Sequence, residues 1–434
     1  MPRISRLKLP SRNWLIFLGI VGSWTTALVY DRYHKKHAQR KWSNYVAHLA
    51  QEEIAAKQLQ RRICILLAAP PGDSLRVSRE HFHEYIKPIL VAGALDWEVI
   101  EGRNEGEVRA GLAEKIRKLR ERQGEERKHK EDDEGVSPED AVRMVRHGMQ
   151  IRDWAGVNGD LVIGRHTWKE YIRGLHEGWL GPMDVPVQPE ASLPDPALEP
   201  SPLPEAGVDP EKKDEEKPAE KPPEEKKPSP TPPYILPSDY STATPSASLP
   251  SELPPSTAVP LPHLLGFLNT PIRMYRFLNQ RAIAEHTGAS IAALVLASKS
   301  RPYTHSPDPA LDIPATTTSS SESSPADPSQ PFPWEQSLLL SEAEPEWHKS
   351  ARAANPPGDT RERVWQEDMV IDPRIGDRMR TFELPDGARE QAQQLYETAR
   401  RAEPSLWEQL RRWAGYASPE RKGWEMGFEG DENS

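Results

Sequence analysis

The sequence predicts an α/β fold carried on one N-terminal transmembrane helix, with proline-rich linkers and a mostly helical C-terminal region behind it. Three observations predict it. Trp14–Tyr30 (WLIFLGIVGSWTTALVY) carries no charge and lies between two basic clusters. Strand-length apolar runs alternate with helix-period apolar stripes between residues 61 and 180. A stretch spanning 181–262 holds 23 of the 45 prolines and separates that block from the later foldable segments.

The chain opens on a basic segment, residues 1–13, followed by the transmembrane helix, 14–30. At about 1.5 Å per residue this run makes a helix of roughly 25 Å, near the lower limit for a hydrocarbon core of about 30 Å. Trp14 and Tyr30 stand at its ends, where amphipathic rings favour the headgroup layer. A cleaved secretory signal shares the basic start and the apolar stretch. Here no small-x-small site precedes Asp31 and the following residues are basic and aromatic, so an uncleaved anchor is expected. Arg3, Arg6, Lys8 and Arg12 precede the span, and Arg32, Lys35, Lys36, Arg40 and Lys41 follow it in a basic juxtamembrane segment, 31–60. With so little asymmetry, charge does not orient the span. Gly19, Ser23 and Ala27 recur every four residues within it. Such a ridge lets another helix backbone approach closely, although small residues are also common in membrane helices generally.

Residues 61–180 read as the α/β domain. Ile63–Ala69 (ICILLAA) is a strand, followed by a turn at Pro70-Pro71-Gly72 and a helix capped by Asp73 or Ser74. Leu75, Phe82, Ile86 and Leu90 give that helix its apolar spacing, and Pro88 predicts a kink. Trp97–Ile100 is a second strand, and Val108, Leu112, Ile116 and Leu119 form the stripe of a second helix. After a charged loop tip, Gly124–Gly135, come a third strand at Leu161–Ile163 and a third helix at Trp168–Leu175. Strand and helix alternating three times is the signature of a parallel sheet between helical layers.

Beyond it, composition changes. Residues 181–262, with blocks such as EKKDEEKPAEKPPEEKKPSPTPP, bury too little apolar surface to repay ordering and are expected to be a disordered linker. Residues 263–302 are an α/β or helical segment. His263–Phe267 suggests a strand there, Arg273–Arg281 mixes basic and aromatic residues, and Ala289–Ala297 is a core helix or strand too short to span a membrane. Residues 303–331 are a second linker, rich in serine, threonine and proline. The region 332–434 is expected to be helical, with a helix at Ala388–Arg401 and another opening at Pro404. Trp413, Tyr416, Trp424 and Phe428 give it an aromatic tail, which either docks a partner or packs back on its own domain.

Several function classes are excluded or weakened. A single cysteine, Cys64, excludes an intrachain disulfide framework and a cysteine-based zinc or iron–sulfur site. The net charge of −10 is spread over the linkers, while basic residues gather beside the span, which suits anionic lipid headgroups and not nucleic acid. A membrane-anchored enzyme binding a nucleotide or phosphorylated ligand is the alternative that an α/β domain invites. Its first loop, AAPPGDS, has one glycine, two prolines without N–H donors and an aspartate that repels phosphate. His81, His83 and Glu84 lack the four-residue spacing that sets two ligands on one helix face. Ser74 has no nucleophile elbow or base around it, and Glu285 with His286 reads as a helix end. No catalytic, metal or cofactor constellation emerges.

The anchor, the run ILLAAPPGDSLRVSREHFHEYIKPILVAGALDWEVIEGRNEGEVRAGLAEKIRKLR, the stretch LLGFLNTPIRMYRFLNQR, the segment DPRIGDRMR and the ending GWEMGFEGDE together resemble the fungal Tim fifty-four family. Its members belong to the carrier translocase of the mitochondrial inner membrane. The resemblance is collinear from the N-terminus to the tail, interrupted by the two linkers. It implies one inner-membrane span, a C-terminal domain in the intermembrane space, and a non-catalytic subunit that scaffolds the complex. The implied partners are the channel-forming subunit and the small Tim chaperone complexes, with membrane lipids around the span. The family offers no catalytic or cofactor residues to carry over.

Overall fold

The computed structural model describes residues 11–127, 138–186, 232–303, 341–353 and 362–402. Helix α1 (Arg12–Val46) runs without a break for 35 residues. Among the described residues none before Asp31 is buried, whereas Asp31, Lys35, Ala38, Trp42 and Val46 all enter the protein interior. The basic juxtamembrane segment is therefore in large part a core helix.

The sheet consists of β1 (Arg62–Ala68), β2 (Asp96–Gly102), β3 (Asp160–Ile163), β4 (Ser256–Val259), β5 (Ser300–Pro302) and β6 (Arg380–Phe382), in the order β2-β1-β3-β4-β6-β5. All neighbours pair in parallel except β5, which lies antiparallel on β6 at one edge. Because side chains alternate across a strand, Ile63, Ile65 and Leu67 of β1 face one layer and Cys64, Leu66 and Ala68 the other. Both faces are covered, which explains the unbroken apolar run in the sequence. One layer joins α1 to α2 (Leu75–His81), α3 (Lys87–Ala92), α8 (Gln280–Leu296) and α9 (Ala388–Ala402). The opposite layer holds α4 (Glu107–Arg122) and α6 (Arg165–Leu180), every residue of the latter being buried. Two further helices are α5 (Pro138–Gly148) and α7 (Thr270–Phe277), and a single helical turn, Pro373–Gly376, precedes β6.

The kink expected at Pro88 takes the form of a wide π turn, Phe82–Ile86, between α2 and α3. Proline cannot donate to the carbonyl four residues back, and its ring crowds it, so the turn must widen. The released carbonyl is that of Glu84, and the side-chain amide of Gln39 on α1 donates to it at 2.7 Å.

Three expectations change. Strand β4 falls inside the proline-rich stretch read as linker. Pro255 and Pro260 flank it and cost the ladder no internal donor, and the Pro255 carbonyl accepts from Asp160 N–H at 3.0 Å. From residue 232 that stretch is folded against the domain, with Tyr240 and Leu253 buried and Ser246 N–H bonded to the Trp179 carbonyl. His263–Phe267 is irregular and not a strand, and Ala289–Leu296 belongs to α8. The C-terminal region contributes strand β6 as well as helix, so residues 61–180 do not close a sheet by themselves. Residues 187–231, most of the second linker, the Pro404 helix and the aromatic tail lie outside the described residues, as does the Gly124–Gly135 tip beyond Arg127.

Candidate membrane-proximal site

Helices α1 and α8 lie side by side and run in the same direction, and both ends of α8 are closed from outside. At its start the Asp31 carboxylate accepts from the Arg281 backbone N–H at 3.1 Å. Lys35 donates to Gln280 at 2.9 Å and pairs with Glu84, and Lys41 pairs with Glu285. At the far end Arg61 donates to the carbonyls of Leu294 (2.9 Å) and Val295 (2.8 Å). An acid thus meets the positive end of the α8 dipole and a guanidinium the negative end. Burial lowers the pKa of Arg61 to about 10 and also lowers that of Lys35, where Glu84 opposes the shift. Gly288 admits Trp42, since a Cβ there would collide with the indole.

This arrangement sets the C-terminal ends of the parallel strands toward the Tyr30 end of α1. On that side an open groove of about 700 Å3 separates the α2 region from α7, bordered by Asp73, Tyr85, His263, Arg273 and Phe277. Asp73 Oδ2 lies 3.5 Å from His263 Nε2, and burial lowers the pKa of that imidazole against the pull of Asp73. Arg32 sits over the Phe277 ring at 5.5 Å, and Arg281 over Tyr30 at 5.2 Å.

In open parallel sheets a ligand enters between diverging strands at their C-terminal ends, here between β1 and β3. The chain fills that place with its own side chains. Ser78 Oγ donates to the Ala68 carbonyl at 2.6 Å, a ring nitrogen of His166 lies 3.1 Å from the same oxygen, and Thr167 Oγ1 accepts from Ala68 N–H at 3.2 Å. Gly72, at φ +86°, lies beneath His348, so the loop after β1 is roofed. Burial holds the His166 pKa down to about 4, which keeps that imidazole neutral.

The structure separates the residues singled out in the sequence. His81 is buried with its pKa lowered to about 4, while Glu84 faces Lys35 and Arg32. Among the described residues no group of three or more histidines, cysteines and acids could hold a metal ion. Cys64 is buried in the sheet, and burial pushes its thiol up to about 12. Glu285 and His286 lie within α8 and do not end a helix. Gly19, Ser23 and Ala27 lie on the part of α1 outside the domain. Ser23 Oγ bonds back to the Ile20 carbonyl at 2.8 Å, and a Cβ at Gly19 would meet nothing within 4 Å. Sequence reasoning missed the buried ions of the opposite layer. Glu177 pairs there with Arg109 and Arg117, and Glu170 accepts from Val108 N–H at the start of α4. Burial raises the Glu170 pKa to about 7. Acids and arginines in helices otherwise rich in charge gave no local sign of burial.

A family described as inner membrane protein import complex subunit Tim54 matches residues 1–382. The chain belongs to the Tim54 family. It is 49% identical over 403 residues to the mitochondrial import inner membrane translocase subunit tim54 of Aspergillus oryzae, covering 91% of this chain and 89% of that one. The protein of the same name from Neurospora crassa is 42% identical over 384 residues, covering 87% and 78% respectively. That of Schizosaccharomyces pombe is 31% identical over 385 residues, covering 87% and 94%. Tim54 membership makes this chain a non-catalytic subunit of the mitochondrial inner-membrane import machinery. The family resemblance read from the sequence stands, and the enzyme alternative falls.

Proposed function

We propose that this Tim54 protein scaffolds the translocase that inserts multi-spanning carrier proteins, with its N-terminus in the matrix and its α/β domain in the intermembrane space. The observation that supports a scaffold is α1, which passes from an exposed apolar stretch into the domain core as one helix. A subunit built this way holds a folded body at a fixed place above its span. The channel-forming subunit meets the span, and the Gly19, Ser23 and Ala27 ridge offers the close backbone approach such a contact uses. The small Tim chaperones dock on the domain.

The orientation is tested by protease access to a C-terminal tag, expected to be protected in intact mitochondria and cleaved once the outer membrane is ruptured. Protection that persists after rupture reverses the topology. Docking is tested by capture of purified small Tim complexes on the full chain and on one with residues 187–231 cut by half. Closure of a chain segment changes by only about 0.6 kcal/mol per halving, so the shortened protein should fold and bind. Loss of binding on shortening alone would make that segment the docking motif. Removing everything from Leu261 onward is not a usable control, because it deletes β5, β6 and α8 from the sheet and core.

A further inference from the structure

We propose that the loop tip before α7 and the side of α7 turned away from the groove, with Phe267, Leu268, Ile272 and Tyr275, insert into the headgroup layer of the membrane that α1 spans. The proposal rests on the reading of Trp14–Tyr30 as the anchor.

Helix α7 is amphipathic, yet none of its residues is buried by the domain. Phe267 and Leu268, at the loop tip before it, are each 90% exposed, and Ile272, Met274 and Tyr275 are exposed as well. Scattered apolar residues on a surface mean little, but a contiguous set of this kind marks an unmet contact. Its position identifies the contact. Arg281, just beyond α7, bonds to Asp31 and covers Tyr30, and Phe277 of α7 lies under Arg32. Tyr30 and Arg32 are where α1 passes from its uncharged run to its buried half, so α7 sits at the level where the bilayer ends.

The chemistry fits a lipid surface. Between Leu264 and Ala284 there are three arginines, Arg273, Arg276 and Arg281, and no acid. Arg276 pairs with Glu346, whereas Arg273 is exposed. Aromatic and aliphatic side chains beside arginines, on a short helix with an exposed apolar face, are the composition of segments that lie in the interface plane. A protein partner would compete for the same patch.

The full chain reconstituted in phosphatidylcholine–phosphatidylglycerol vesicles separates these cases. Single-cysteine variants Phe267→Cys and Leu268→Cys carry an environment-sensitive fluorophore, and the buried Cys64 is replaced by alanine in every variant. Val21→Cys reports on the span. Ile54→Cys, exposed just beyond the far end of α1, reports on water. The labels at 267 and 268 are expected to shift to the blue and to be quenched by lipids carrying a quencher near the headgroup, as Ile54→Cys is not, while the Val21 label is quenched by lipids carrying the quencher deep in the acyl chain. Labels at 267 and 268 that stay as water-exposed as that at 54, while the Val21 label is quenched, overturn the proposal. Shielding that appears only in the assembled translocase assigns the patch to a protein partner and overturns it equally. An unquenched Val21 label instead removes the anchor on which the proposal stands.

Discussion

The two halves of α1 obey opposite rules. Before Tyr30 the apolar side chains Leu15, Ile16, Phe17 and Ile20 are exposed, and the helix touches no core. After it the pattern inverts, and a carboxylate and two lysines are buried while Tyr33 faces outward. A helix surrounded by one solvent cannot be stable in both halves. With Trp14–Tyr30 as the candidate span, the first half exchanges water for lipid and the second exchanges water for protein. The three buried charged side chains of the second half are tolerated because each has a partner: Asp31 the start of α8, Lys35 Glu84 and Gln280, Lys41 Glu285. Anchor and core are one element, divided only by what surrounds it.

That division can be broken most severely by moving the start of the chain. A fragment beginning at Asp31 should be soluble and folded, while one beginning at Ala47 should lose the core face that covers α8 and show no cooperative denaturant transition. A native-like near-UV spectrum from the shorter fragment would detach α1 from the fold. Next in size, Trp42→Ala empties a fully buried indole site and should cost about 3–5 kcal/mol, read as a lower urea midpoint of the fragment from Asp31.

Acidification comes third. Burial lowers His81, His166 and His176 from 6.5 to about 4, so the stability their neutral forms contribute is intact above pH 6.5 and lost as pH falls toward 4. Burial raises Asp160 from 3.8 to about 6 and Glu170 from 4.5 to about 7, whose contributions are intact at low pH and lost as pH rises. Burial lowers His37, His263 and His286 as well and raises Glu105 and Glu362, so six imidazoles stand against four carboxyls and Tm should fall between pH 7 and pH 5. A rise would mean the carboxyls dominate. A smaller effect, about 1 kcal/mol, is expected for Asp31→Ala, which removes the acceptor at the start of α8. Smallest for the fold is the leucine pair Gly19→Leu with Ser23→Leu. It should leave the domain's melting unchanged while releasing the protein from its complex on native gels, and unchanged co-migration would deny the ridge a role.

What was legible in the sequence was what local pattern decides. The uncharged run, the apolar strands near Ile63, Trp97 and Leu161, the helix around Trp168–Leu175, and Val108, Leu112 and Ile116 of α4 lie where the pattern put them, whereas Leu119 of the same stripe is exposed and α6 is buried all round. What escaped depends on residues far along the chain. Ser256–Val259 is four residues between prolines, and it becomes a central strand only because β3 and β6 offer edges on either side. Lys35 and Lys41 look like headgroup ligands until Glu84 and Glu285 arrive beside them. The candidate site followed the same rule. The small-residue ridge and the basic–aromatic stretch Arg273–Arg281 could be read directly, whereas the nearness of Phe277 to Arg32 could not.

Between Tyr30 and Val46 the helix contains neither glycine nor proline, and its last turns are locked into the sheet's core. Span and domain therefore share one axis with no swivel between them. The uncharged run is short for its bilayer, so a thicker membrane must either thin around it or draw the domain down onto the lipid, and tilt of the span leans the sheet by the same angle. On the reading of Trp14–Tyr30 as the span, the domain's height and inclination follow from how the bilayer accommodates that short run.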